Sequence, residues 1–404
     1  MRISVLSSLS TVLVMAACVG PDYETGTRVQ SLAHAGPWQI PTKTLEVGDT
    51  IVNDYTGAGP YNGGAACSGG MEPGTVELRD YIYQWFPASY SIGGYNCRPI
   101  AGTNTLSLHG TGRALDIMIP LAGPYADDNA ADNDLGDPIG NWLIENADDI
   151  GIQLIIWDQY SWGSHRDVGM KGRDYGGSHP HHDHLHVELT TEAAALGTPF
   201  FQSDQKPPPT LPRCAPIPRS GAIIEDSDPC VQLFGPAEYW RKEEGVGHGG
   251  SLRWTNAYQG DQESNWARYI LEFEEEGSYE VAVYLEPEYS RFRDTRYAIT
   301  HADGITEVIV DQSAGDGWTS LGSFRFSAGV HQDVMVYDNS GAPVDDDQHI
   351  AVDALRIGEG EDGASLEGGC GCRTGGSPAS GGFGGLVLLA ALGLLRRRRS
   401  KWPS

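Results

Sequence analysis

Residues 205–218, QKPPPTLPRCAPIP, decide more about this fold than any other stretch. Proline fixes φ, removes a backbone donor and pushes the residue before it out of helical space. A segment this rich in it enters neither a helix nor the middle of a sheet. The chain has 404 residues, room for two globular domains plus tails. The boundary falls in a proline-rich linker, residues 198–230. The patterns on its two sides differ. Residues 36–197 mix α and β signals. Asp137 reads as an N-cap with Pro138 at the first helical position, followed by Ile139, Trp142, Leu143, Ala147 and Ile150 on one stripe. Gly151 stops that helix, IQLIIW follows as a buried strand, and a second helix is expected over 76–86. Residues 231–358 instead carry strand-like runs such as YILEFEEEGSYEVAVYLE and RYAITHADGITEVIVDQ, separated by turn residues. That is the pattern of an all-β sandwich. The two parts are expected to fold as separate units.

Both ends read as targeting segments. Arg2 precedes the apolar run VLSSLSTVLVMAAC, too short for a permanent span, so residues 1–17 are a signal peptide. Its MAAC resembles a lipobox, which implies lipidation of Cys18, and residues 18–35 are a polar tether. Residues 359–381 are a linker holding Cys370 and Cys372. Residues 382–404 continue an apolar run that ends in four arginines. This layout resembles the C-terminal sorting tail of myxobacterial surface proteins. It implies an exported protein held at the cell surface or outer membrane by its lipid and its tail.

Four cysteines remain: Cys67, Cys97, Cys214 and Cys230. An even set in an exported chain favours disulfides. Neighbours in sequence pair Cys67 with Cys97 and Cys214 with Cys230, among three possible connectivities. The formal charge of −27 excludes nucleic acid as a partner, since a phosphate backbone would be repelled.

Two clusters inside 36–197 carry chemistry. In SLHGTGRALDI, residues 107–117, His109 and Asp116 stand either side of Gly110 and Gly112, which can turn the chain back. Asp116 alternates with Leu115 and Ile117, so it occupies one face of a strand. In SHPHHDHLHVEL, residues 178–189, His184, His186 and Glu188 share a face while Leu185 and Val187 point to a core. Catalytic zinc takes three ligands from His, Asp and Glu and leaves a position for water. His109 and Asp116 fit two, and His184 or His186 supplies the third. Asp183 or the spare histidine is then free to take the water's proton. The stretch ADDNAADND, 126–134, lacks the glycine and terminal glutamate of a calcium loop and reads as a solvated or substrate-facing loop.

SLHGTGRALDI resembles the Ser-x-His-x-x-Gly-x-Ala-x-Asp motif of the superfamily joining zinc D-alanyl-D-alanine carboxypeptidases, lysostaphin-type endopeptidases and hedgehog domains. HDHLHV is similar to its second motif, and YNCRPIAGT and NADDIGIQLIIWDQYSW also look like the carboxypeptidase-like group. The likeness covers about residues 60–192. It implies an α+β zinc peptidase domain acting on peptidoglycan stem or cross-link peptides. His109, Asp116 and His186 would be the zinc ligands. Arg98 would polarise the scissile carbonyl or hold a substrate carboxylate, and Ser107 would bond to the ligands. The base stays open: strand alternation favours His184, the acid-x-x-His pattern of relatives favours Asp183. His181 is spaced like an extra active-site histidine of some relatives. The second domain resembles the golvesin C-terminal-like sandwich attached to bacterial hydrolases and xanthan lyase, which implies polysaccharide binding or a spacer role. Trp254, Trp266 and Trp318 could stack on sugars or be buried. Two rivals to the enzyme are a zinc-bearing adhesion module without turnover and a polysaccharide-binding structural protein.

Overall fold

The computed structural model describes residues 26–28, 37–86, 91–120, 132–177, 179–340 and 347–360. The signal peptide with Cys18, the tail with Cys370 and Cys372, and residues 126–131 of the acidic stretch lie outside them.

The N-terminal part is one antiparallel sheet with helices on one face. Its strands are β1 (Ser91–Gly93), β2 (Ala114–Met118), β3 (Ile152–Trp157), β4 (Tyr160–Trp162), β5 (Gly172–Asp174) and β6 (His184–Leu189). Their order across the sheet is β1-β2-β6-β3-β4-β5. Helices α1 (Thr42–Thr50), α2 (Pro73–Trp85) and α3 (Asn133–Glu145) bring Leu78, Ile82, Leu143 and Ile144 against Leu115, Ile117, Leu185 and Val187 of the sheet. Each fully buried aliphatic side chain there contributes roughly 1.5–3 kcal/mol. Period-two alternation sends the polar residues between them, Asp116, His184, His186 and Glu188, to the opposite face.

The start of α3 differs from the sequence expectation. Asp132 is the N-cap, its side chain accepting from the Asp134 N–H at 3.0 Å, and Pro138 lies inside the helix. Asp137 is buried instead, accepting from Trp157 Nε1 (2.8 Å), Asn133 Nδ2 (3.1 Å) and the Gln39 N–H (3.1 Å). Asp-Pro is a common opening of a helix, but here the tertiary partner Trp157 claims the carboxylate. Gly136 permits the approach: a Cβ there would lie 2.3 Å from Trp157 Cζ2. The last residues of the acidic stretch are therefore helix, not loop.

The C-terminal part is a β-sandwich. One sheet contains Val231–Phe234, Trp266–Phe273, Gly329–Tyr337, Thr295–His301 and Gly304–Val310; the other contains Ala222–Ile224, Leu355–Glu359, Gly277–Leu285 and Gly317–Phe326. Arg241–Glu244, Ser251–Asn256 and His349–Val352 form a third, smaller sheet. Tyr269, Leu271 and Phe273 from the first sheet meet Tyr279, Val281 and Val283 from the second in one core. Trp266–Phe273 alternates half-buried and buried along its length, as a strand with one wet face does.

Two stretches read as connectors carry strands. Gly26–Arg28, in the expected tether, pairs antiparallel with Gly304–Val310. Ala222–Ile224, in the expected linker, pairs with Leu355–Glu359, and Ile217 is buried in the sandwich core. Edge strands need only main-chain partners, so composition gave no sign of them. Both expected disulfides are formed, Cys67–Cys97 and Cys214–Cys230, with Cα–Cα distances of 5.8 and 5.1 Å. The two parts touch: Arg268 of the sandwich donates to Asp134 of α3 at 2.6 Å and to Asp333 at 2.7 Å, and Thr42 Oγ1 donates to the Gly235 carbonyl at 2.8 Å. No helix among the described residues is long and apolar enough to cross a membrane.

Candidate metal centre

Pairing of β2 with β6 sets the site. Their antiparallel register puts Asp116 directly opposite His186, so two residues 70 apart in sequence become cross-strand neighbours. The third arrives on the turn before β2. Leu108–Thr111 is a 3-10 turn ended by Gly112 at φ +71°, and a Cβ at 112 would meet the Gly70 carbonyl at 2.2 Å. Only glycine fits there, and the reversal it allows brings His109 over the sheet.

Three donor atoms converge. His109 Nε2 lies 3.1 Å from Asp116 Oδ1, His186 Nδ1 lies 3.0 Å from the same oxygen, and the two imidazole nitrogens are 3.1 Å apart. Ligands held ~2.0–2.2 Å from a tetrahedral zinc would stand about 3.3–3.6 Å from one another. The triangle is thus a few tenths of an ångström tighter than a zinc site. Its donor set, two imidazoles and one carboxylate, is one that zinc takes.

Both histidines are held from behind. His109 Nδ1 faces the Gly94 carbonyl at 2.9 Å, at the end of β1. His186 Nε2 faces Glu188 Oε1 at 3.1 Å, and Gln153 Nε2 donates to Glu188 Oε2 at 3.3 Å. Outer partners of this kind fix the tautomer and aim the ring of a metal-binding histidine. Burial disfavours charge on His186, but its bonds to Asp116 and Glu188 outweigh that and push its pKa up to about 9. Burial likewise works to raise the Asp116 carboxyl, and the bonds from His109 and His186 overcome it, holding it well below the usual carboxylate range. A metal ion would take the place of the proton that these groups share.

His184 stands next to the triangle, its Nε2 3.6 Å from Asp116 Oδ1 and its Nδ1 2.7 Å from Asp183 Oδ1. Alternation alone would send Asp183 to the other face; its carboxylate instead turns back onto the neighbouring ring. His181, buried at φ +57°, has its ring 4.8 Å from that of His184 and 5.7 Å from that of His186. His182 bonds Asp158 at 2.7 Å.

Arg98 is exposed, with its guanidinium donating to the Pro99 carbonyl at 3.4 Å. Its own carbonyl accepts from the Ser107 N–H at 3.0 Å, which ties it to the His109 turn through the main chain. Ser107 is buried, and its carbonyl accepts from the Gly110 N–H at 2.8 Å. Arg113 is a buried brace, donating to the carbonyls of Leu189 (3.0 Å) and Thr56 (2.9 Å). Glu188, Gln153 and the Gly94 carbonyl had no assigned role in the sequence reading. The alternation that placed Glu188 beside His186 was the one available signal.

On the sandwich, Trp266 stacks on Phe234 with ring centroids 5.0 Å apart. Trp254 lies beneath Arg241 at 4.6 Å and beside His349 at 4.1 Å, and Trp318 beneath Arg356 at 4.7 Å and beside Tyr284 at 5.4 Å. All three tryptophans are half-buried.

Two family models match the chain. That of the VldE, C-terminal domain, matches residues 67–186, a span holding Arg98, His109, Asp116, Asp183, His184 and His186. That of the Golvesin C-terminal domain matches residues 236–359, in agreement with the likeness read from the strands. A xanthan lyase of Bacillus sp. (strain GL1) is 33% identical over 83 residues, which are 20% of this chain and 9% of that relative's length. Among solved structures, a Paenibacillus xanthan lyase aligns with 12% identity and a TM-score of 0.30, covering 61% of this chain and 22% of its own. A family 35 carbohydrate binding module from Clostridium thermocellum aligns with 16% identity and a TM-score of 0.24, covering 34% of this chain and 98% of its own.

Proposed function

We propose that this chain is an exported zinc peptidase hydrolysing peptidoglycan stem or cross-link peptides, as a D-Ala-D-Ala carboxypeptidase-like enzyme or an endopeptidase, with the sandwich holding it on polysaccharide. The observation that carries the reading is the convergence of His109, Asp116 and His186 within 3.0–3.1 Å beside the Asp183–His184 pair. Zinc held by that triangle would polarise a peptide carbonyl and make a water acidic enough to attack near neutral pH.

The side chains divide the remaining work. Asp183 accepts from His184 Nδ1, which leaves Nε2 as the acceptor of a neutral ring on the side facing Asp116. His184 therefore takes the attacking water's proton at Nε2 and returns it to the leaving amine, while Asp183 orients the ring. Glu188 and the Gly94 carbonyl keep the two imidazole ligands in place. Arg98 is assigned the substrate's carboxylate or scissile carbonyl, a role suited to a planar guanidinium.

Two disulfides support an oxidising, extracellular setting. The Golvesin match and the xanthan lyase relative support polysaccharide as the sandwich's partner. Trp254 and Trp318 are half-buried with an arginine over each ring, so a sugar would have to stack on the face each arginine leaves. Peptidoglycan supplies glycan and peptide in one polymer. In this reading the N-terminal lipid and C-terminal tail attach the protein at the outer membrane or cell surface.

The test is mass spectrometry of purified peptidoglycan incubated with the zinc-loaded protein, with and without a chelator. New stem or cross-link cleavage products that vanish with chelator are expected. Intact muropeptides at full zinc occupancy would leave the non-catalytic reading, a zinc-bearing polysaccharide-binding or adhesion surface protein.

A further inference from the structure

A second group of imidazoles lies beside the first centre. The ring nitrogens of His179, His181 and His184 fall within 4.8 Å of one another. Their ring centroids are 5.2 Å (179–181), 4.8 Å (181–184) and 5.4 Å (179–184) apart. His181 is nine-tenths buried, and its Nδ1 is buried with no hydrogen-bond partner among the described residues. It also adopts left-handed backbone at φ +57°, a conformation that non-glycine residues seldom take. A buried, partnerless ring nitrogen on strained backbone is poorly explained by packing alone. His184 already has what a metal-binding histidine uses, a carboxylate (Asp183 Oδ1, 2.7 Å) on its other nitrogen.

We infer that His179, His181 and His184 form a second, weaker divalent-metal site for zinc or a similar borderline cation. It is weaker because His179 is exposed and the neighbouring centre adds a like charge. The consequence rests on the peptidase reading above. A cation on His184 withdraws the lone pair that would accept the water's proton. The same ion that activates the enzyme at the first site then silences it at the second. His184 is the shared residue, so activity should rise and then fall as zinc increases.

Metal counting tests the site without reference to activity. Zinc is titrated into the metal-free full-length protein by calorimetry, with elemental analysis at saturation, for wild type and His179→Ala. Wild type should take up two zinc ions in separable steps. The variant should keep the tight step and weaken the second by more than about tenfold. Saturation of wild type at one equivalent overturns the proposal, and so does an unchanged second step in the variant. Turnover of peptidoglycan across the same titration should show inhibition by excess zinc in wild type and relief of it in His179→Ala. If neither protein turns over substrate while wild type binds two ions and the variant's second step is weakened, the peptidase reading fails and the second site stands.

Discussion

At the scale of single residues, the site depends on atoms behind the ligands as much as on the ligands. Glu188 meets His186 at its far nitrogen, where a carboxylate favours the tautomer that leaves Nδ1 free for a metal. Glu188→Gln keeps the shape and removes the charge. Zinc affinity should fall about 10–100-fold in the variant, read by competition with a chromophoric chelator. An affinity equal to wild type would show that Asp116 alone orients the ring. Much of this was legible in the chain. Alternation along 184–188 predicted the shared face of His184, His186 and Glu188, and spacing around Gly112 predicted a reversal delivering His109. What was not legible is the main chain's part. The carbonyl of Gly94 carries no side-chain signature, and its place under His109 follows from β1 pairing with β2 at Gly93 and Asp116.

At the scale of elements, α3 shows where local grammar yields to packing. Asp137 followed by Pro138 reads as a helix start, but the helix begins at Asn133, and Asp137 is an internal strut between α3 and Trp157 of β3. Burial pushes the Asp137 carboxyl up to about 8, against the hydrogen bonds from Trp157, Gln39 and Asn133 that favour the anion. The sign follows from linkage. The folded pKa lies above the unfolded value near 4, so the contribution is full at acid pH and is lost as pH rises toward 8. Asp137→Asn stays neutral throughout but turns its amide N–H toward the Gln39 N–H. It should melt below wild type at about pH 5, with the gap narrowing by about pH 8.5. A gap independent of pH would mean the carboxyl is ionised throughout. The strands of the sandwich were easier to read, because one wet face per strand leaves its alternation in the sequence, as in Trp266–Phe273. The edge strands at Gly26–Arg28 and Ala222–Ile224 were not, because three residues cannot display a period.

At the scale of the whole molecule, the proline-rich boundary was legible, and the contact across it was not. Arg268 is a lone arginine in a strand pattern, and nothing in its neighbourhood announces that Asp134, more than a hundred residues earlier, is its partner. With Asp333 it forms a largely buried triad joining the sandwich and the N-terminal part. Arg268→Ala strands two carboxylates and should cost about 3–5 kcal/mol. Limited proteolysis should then cut the spacer faster, and two separate melting transitions should appear. An unchanged digestion pattern would mean that the two parts never relied on this contact.

The same triad sets a distance. A proline-rich spacer of about a dozen residues, if free, would let one part wander some 40 Å from the other. Pinned by Arg268, the candidate centre instead keeps a fixed offset from the sandwich. Such an arrangement works like a caliper and not a leash. If the sandwich holds glycan and the centre cleaves peptide, as proposed, cuts should fall at one interval along the strand, and their spacing on a long glycan measures that offset.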